Sequence, residues 1–319
     1  MPVTRRDFTR TLAAAAPAAL AARAAPKINS RIGGVQIGAI TYSFNTIAAP
    51  DPEAIVRAYV EIGLGEAELM GNHCEALAGA PSVPFFRRGP GRPPLTPEQT
   101  AQLEAARAKL AEWRRSTGAQ TWKNVASKFD EAGVETAFLC YSMTDAMSDA
   151  DVEYGFAMAK ALGVRAITTS TTLTMAKRIA PIAESHKMMV GYHGHDATND
   201  PNQTATLESY DTLMAYGKYN GINLDIGHFT ASNYDAVDFI RKHHAKITNL
   251  HVKDRKKNHG PNVAVWGTGD TPIRGVLQLL KNEKYPIPAN LELEYPIPPG
   301  SNIIAEAKKC FAYVKSCLV

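Results

Sequence analysis

The chain has 319 residues, 45% hydrophobic and 21% charged, with a formal net charge of +4. This is ordinary for a globular protein, and beyond the N-terminal segment no apolar run approaches the ~20 residues of a membrane-spanning helix. The first 24 residues hold four arginines against one aspartate, so the remainder carries about +1 of the charge. That gives no electrostatic footprint for nucleic acid.

The N-terminal 24 residues read MPVTRRDFTRTLAAAAPAALAARA. Arg5-Arg6, a weakly apolar Ala/Leu run and the cleavage-like Ala22-Arg23-Ala24 resemble a twin-arginine export signal, the alternative being an ordinary surface helix. The expectation is a signal over 1–24, a mature chain over 25–319 and a periplasmic location. Cys74, Cys140, Cys310 and Cys317 show no CxxC pair. Cys310 and Cys317 lie roughly 10 Å apart along one predicted helix, too far for a direct bridge. Twin-arginine substrates are exported folded, so buried free cysteines are expected.

From residue 35 onward, short apolar runs alternate with helical periods. Strands are predicted at 35–44, 65–70, 135–143, 165–172, 188–195, 222–229, 247–254 and 289–295. Helical patterns include 51–63, 121–133, 149–163, 206–218, 271–282 and 303–318. Asp51-Pro52 and Thr271-Pro272 read as helix starts. Gly63, Gly133 and Gly163 read as helix ends. The strands are almost continuously apolar, as in a parallel sheet covered on both faces. Eight βα units of one composition imply an α/β protein, a single-domain (β/α)8 TIM barrel. An open doubly wound sheet would carry a glycine-rich turn after an early strand, and none appears.

Residues 71–120 break the rhythm as an insertion after strand 2. Ala78 to Pro97 carries six prolines, and 97–116 reads as an exposed amphipathic helix. Such an insertion is a candidate lid or wall over the substrate, or else a decorative excursion or an oligomer contact. The run Lys253 to Lys257 is basic; it is a solvated loop or a phosphate contact.

The last four strands end in metal-loving side chains. MVGYHGHD (189–196), INLDIGHF (222–229), NLHVKDR (249–255) and NLELEY (290–295) present His193, His195, Asp225, His228, His251 and Glu294. In a parallel barrel the C-terminal strand ends converge on one face, where the chemistry sits. Strand alternation puts His193 with His195, His251 with Lys253, and Glu292 with Glu294. Within each pair one member can bind metal while the other reaches substrate or sits one layer deeper. Glu294, nearer the rim, is favoured over Glu292 as ligand. Glu68, Tyr42 and Tyr141 end earlier strands, the tyrosines as contacts or packing. His186, His243, His244 and His259 fall on helices and loops and read as structural.

The motifs TYSF, ELM, YHGHD, LDIGH, HVKD, WGTGD (266–270) and LELEY, in this order, resemble the xylose isomerase-like TIM-barrel superfamily. This superfamily includes the sugar phosphate isomerases/epimerases, sugar 3-epimerases, inosose dehydratases and family-2 apurinic endonucleases. The resemblance implies one divalent metal ion held by His193, Asp225, His251 and Glu294. His193 departs from the glutamate usual at its position. Two imidazoles with two carboxylates suit Mn, Co, Zn or Fe(II) better than Ca. The resemblance further implies catalytic roles for Glu294, Glu68, Lys253 and His228. Substrate contacts would come from His195, Trp266, Tyr42 and Glu292.

The implied activity is that of a metal-dependent sugar isomerase or epimerase. Proton abstraction beside a carbonyl would give an enediolate on a free sugar, cyclitol or keto-sugar. The alternatives are a lyase or dehydratase acting on a 3-keto-glycoside at the same site, and a catalytically dead periplasmic sugar- or metal-binding protein. The expected partner is a small carbohydrate, with no nucleic acid and no membrane; the resemblance also implies self-association.

Overall fold

The computed structural model describes residues 25–84, 86 and 93–319. The expected export signal, 1–24, lies outside them, as does the arginine- and glycine-rich part of the insertion, 87–92. A short strand β1 (Arg31–Ile32) precedes eight others: β2 (Val35–Ile40), β3 (Glu66–Met70), β4 (Glu135–Cys140), β5 (Ala166–Thr169), β6 (Met189–His193), β7 (Asn220–Asp225), β8 (Ile247–Val252) and β9 (Ala289–Leu291). From β2 to β9 each strand pairs with the next, and β9 returns to β2. The result is a closed parallel TIM barrel, with β1 paired antiparallel to β2 outside the ring.

The outward positions explain why the strands read as continuously apolar. Ile37, Leu69, Leu139, Ile167, Val190, Leu224, Leu250 and Leu291 are fully buried in one hydrophobic cluster with the surrounding helices. The inward positions are polar toward the C-terminal ends, and they build the site.

All eight predicted barrel strands are present, and seven end before the predicted limit, two of them by passing straight into a helical turn. Thr41–Phe44 forms a 3-10 turn instead of extending β2. Its hydroxyls are committed to neighbouring strands: Thr41 Oγ1 accepts from the Met70 amide at 2.9 Å, and Ser43 Oγ accepts from the Leu293 amide at 3.0 Å. Ile226–Ala231 is a helix, because the Asp225 carboxylate caps it by accepting from the His228 amide at 2.7 Å.

Gly63, Gly133 and Gly163 end their helices at φ of 86°, 79° and 77°. The two proline starts are displaced. The helix Ala54–Ile62 begins two residues beyond Pro52. The helix Ile273–Glu283 follows Pro272, whose neighbour Thr271 instead accepts from the Arg255 amide at 2.9 Å.

The insertion forms the helices Gly71–Leu77 and Pro97–Ser116. Only Leu103 is buried on the second, so that helix is solvated nearly all round rather than amphipathic. It is tied down at its end, where the Arg114 guanidinium clamps Glu75 at 2.7 and 3.0 Å. Trp113 also packs edge-on against Trp122. Asn72, His73, Ala80, Val83 and Leu110 line a groove of their own.

Candidate active site

Three asparagines precede three acid or imidazole groups by two residues: Asn223 and Asp225, Asn249 and His251, Asn290 and Glu292. The two-residue period sends both members of each pair into the barrel, the asparagine one layer deeper. Glu68, from β3, lies fully buried in that deeper layer. Its carboxylate accepts from the amides of Asn249 and Asn290 at 2.9 Å each, from Asn223 at 3.3 Å and from the Thr168 hydroxyl. It also meets His251 Nε2 at 2.8 Å. The contact fixes the His251 ring and turns Nδ1 toward Glu292 Oε2, 3.1 Å away.

Above this layer His193, Asp225, His251 and Glu292 converge, each offering one donor atom within 4.8 Å of the others. All four are buried. His193 Nε2 is 3.3 Å from Asp225 Oδ2 and 3.9 Å from Glu292 Oε2, and its Nδ1 meets Ser170 Oγ at 3.3 Å. Metal–ligand bonds near 2.1 Å place donor atoms roughly 3–4.3 Å apart, so a small contraction would close the cluster on a borderline divalent ion. The donor set fits such an ion.

The cluster departs from the expected ligand set: its fourth member is Glu292, and Glu294 stands outside it. In the β8–β9 register Asn290 is level with His251, so Glu292, two residues further on, carries its carboxylate to within 3.1 Å of His251 Nδ1, and Glu294 lies two residues beyond it. There Glu294 contacts the Lys253 ammonium and lies 3.9 Å from His228 Nε2.

Lys253 is itself buried, its Nζ 3.0 Å from Asp225 Oδ2 and 2.7 Å from Glu292 Oε2. Burial alone would lower its pKa, but Asp225, Glu292 and Glu294 outweigh burial and raise it. Burial would raise Asp225, yet Lys253 and His228 hold it well below the usual carboxylate range. His193 is pushed down chiefly by burial, which favours the neutral imidazole that a ligand must be. His251 moves the other way: burial opposes its charge, and Glu68 and Glu292 override it.

The cluster opens into a cavity of about 190 Å³, also walled by Tyr42, Met70, Ser142, Ser170, His195 and Glu294. Tyr42 and His195, expected as substrate contacts, both lie in its wall. Burial, with His193 and His228 nearby, pushes His195 down to about 3.

His228 is close by, but its Nδ1 is held by Asp196 at 2.9 Å and by the Arg255 guanidinium at 2.5 Å. Sequence reasoning missed Asp196 and Arg255 as partners, although both lie in motifs already singled out. It also missed the three asparagines, whose signal was the recurring triplet Asn-Leu-ligand.

Two further expectations are corrected. Glu68 does not reach the cavity; it sits beneath His251 as a positioning residue. Trp266 is buried in the hydrophobic core and does not line the cavity, its loop being pulled down by Asp254. The Asp254 carboxylate accepts from the amides of Gly267 at 2.7 Å and Gly269 at 2.9 Å. Tyr141 packs under Gly155 and bonds the Asp151 carbonyl. Within the basic run, Lys253 and Arg255 are consumed by internal carboxylates. No described residue of 71–120 lines this cavity.

The xylose isomerase-like TIM barrel family matches the chain over residues 76–314, and the chain belongs to that family. Among curated proteins none matches it. Solved structures similar to it include 3-keto-D-glucoside 4-epimerase YcjR from E. coli, at 11% identity and a TM-score of 0.60, covering 89% of this chain and 100% of that one. A sugar phosphate isomerase/epimerase from Parabacteroides distasonis gives 15% identity and a TM-score of 0.59, covering 93% and 100%. A probable 3-DHS dehydratase, AsbF, from Bacillus anthracis gives 18% and 0.57, covering 87% and 98%. At these identities the likeness speaks for the fold.

Proposed function

We propose that this protein is a divalent-metal-dependent isomerase or epimerase of an unphosphorylated sugar, cyclitol or keto-sugar. The observation that carries the reading is the convergence of His193, Asp225, His251 and Glu292, of which His193, His251 and Glu292 line one cavity together with Glu294. These four residues would hold the ion, which when bound acidifies a C–H beside a sugar carbonyl as a Lewis acid.

Glu294 lines the cavity outside the ligand set and is the base that takes the proton. The Lys253 ammonium lies behind the cavity wall among Asp225, Glu292 and Glu294 and offsets the negative charge these carboxylates bring to the site. His195 is neutral near pH 7 and positions a hydroxyl by hydrogen bonding rather than by charge. Returning the proton to the neighbouring carbon isomerises; returning it to the opposite face epimerises.

Among the described residues, the cavity lining contains no arginine or lysine, the side chains that usually grip phosphate. Export through the N-terminal twin arginine would also bring the enzyme to free sugars rather than sugar phosphates. Elimination of a β-substituent at the same site is the second reading. It is supported by the replacement of one carboxylate ligand by His193, which removes a symmetric pair of bases.

Elemental mass spectrometry on purified protein tests the proposal. About one equivalent of Mn, Co, Zn or Fe is expected, lost in the Asp225→Ala, His251→Ala double variant. Deuterium from D2O should enter a keto-sugar substrate at the carbon beside its carbonyl. A folded protein that takes up no metal on reconstitution would overturn the proposal.

A further inference from the structure

The feature least explained by this reading is the position of Lys253. Its Nζ does not point into the cavity; it lies against Asp225 Oδ2 and Glu292 Oε2, the same oxygens that face His193 Nε2. The other Asp225 oxygen is already committed to the His228 amide. An ammonium and a divalent ion therefore compete for one pair of oxygens. Like charges so close in a buried site repel, so each cation weakens the other's hold on these oxygens.

The structure offers the lysine a second berth. Glu294 also contacts Nζ, is two residues nearer the rim than Glu292 and is outside the ligand set. Gly227 explains how the lysine stem reaches this point. A Cβ at Gly227 would lie 2.3 Å from Lys253 Cγ and 3.1 Å from its Cδ, so only glycine leaves the stem room.

We infer that Lys253 is a resident cation of the ligand cluster. It neutralises Asp225 and Glu292 when no metal is bound, and it yields to an entering divalent ion by withdrawing to Glu294. The inference rests on the metal-binding reading above and adds to it that the chain carries its own competitor for the metal. The lysine stabilises the metal-free fold and weakens metal affinity. In the loaded protein it is left beside the cavity, paired with the base.

The test is calorimetric titration of Zn and of Mn into full-length protein, comparing wild type with Lys253→Met, which keeps the stem and removes the charge. Lys253→Met is expected to bind about tenfold tighter or more, to melt lower without metal, and to gain more in Tm from zinc than wild type does. Equal or weaker metal binding by folded Lys253→Met would overturn the inference while leaving the metal site standing. Failure of both proteins to bind, indistinguishable from Asp225→Ala, would overturn both.

Should Lys253→Met not fold, wild type labelled with 15N-lysine decides. The Lys253 ammonium protons should be shielded from solvent exchange without zinc and exchange faster with it. Exchange unchanged by bound zinc would overturn the inference.

Discussion

At the scale of single residues, the site depends on a hub that touches no substrate. Glu68 serves three asparagine amides, a threonine hydroxyl and His251 at once. Burial would raise its pKa, but His251, Thr168 and Asn290 outweigh burial and keep it ionised. Glu68→Ala strands those donors in the barrel interior and should cost about 3–5 kcal/mol of stability, as breaking a buried pair does. Urea denaturation at pH 7 measures it, and a loss below about 1 kcal/mol would mean that the layer relaxes around the gap. The choice between Glu292 and Glu294 was legible at this scale. Asn223-Leu224-Asp225, Asn249-Leu250-His251 and Asn290-Leu291-Glu292 share one spacing, and following it selects Glu292. Proximity to the rim was the weaker guide, because strands of unequal length do not end at one height.

Among the elements, the loop from Asn262 to Thr271 decides what its motif does. Asp254 is buried and collects the amides of Gly267 and Gly269, with Thr271 at 3.3 Å. A Cβ on Gly269 would lie 2.0 Å from Asp254 Oδ1. Gly269→Ala should therefore loosen the loop and cost about 1–3 kcal/mol through overpacking. The check is faster limited proteolysis between 262 and 271 together with a lower Tm. An unchanged proteolytic pattern would show that the Asp254 anchor is dispensable. This anchoring also explains why Trp266 is in the core: the turn that seemed to present it to a sugar is drawn down onto the barrel. Helix ends were readable because left-handed glycines leave a local signature. The shifted starts after Pro52 and Pro272 were not, since the competing partners of Thr271 come from elsewhere in the fold.

For the molecule as a whole, the two ends of the barrel carry different electrostatics. At the end opposite the site, Glu66 is buried and pairs with the half-exposed Arg165. Burial pushes its carboxyl up to about 7, with Arg165 pulling against it. A carboxyl raised in the fold holds its proton there while the unfolded chain has released it. Stability from this group is thus present below about pH 4.5 and lost as pH rises to about 7, up to about 3 kcal/mol in all. Glu66→Gln removes the dependence. Its stability relative to wild type should increase from pH 5 to pH 8 in paired denaturation curves. A constant difference across that range would show that Glu66 is ionised throughout.

The sequence by itself determined the barrel, its eight strands, the single-domain layout and three of the four residues that converge in the cluster. These follow from local periodicity: continuous apolar runs, glycine stops and polar groups at successive strand ends are written within a few residues of one another. Only the tertiary structure decided that Glu292 completes the cluster, that Glu68 supports it from below, that Lys253 lies among the carboxylates and that Trp266 is core. Those outcomes depend on strand stagger around a closed ring and on contacts between residues far apart in the chain, such as Glu68 and Asn290. No local pattern encodes such distances, because closure of the barrel sets them.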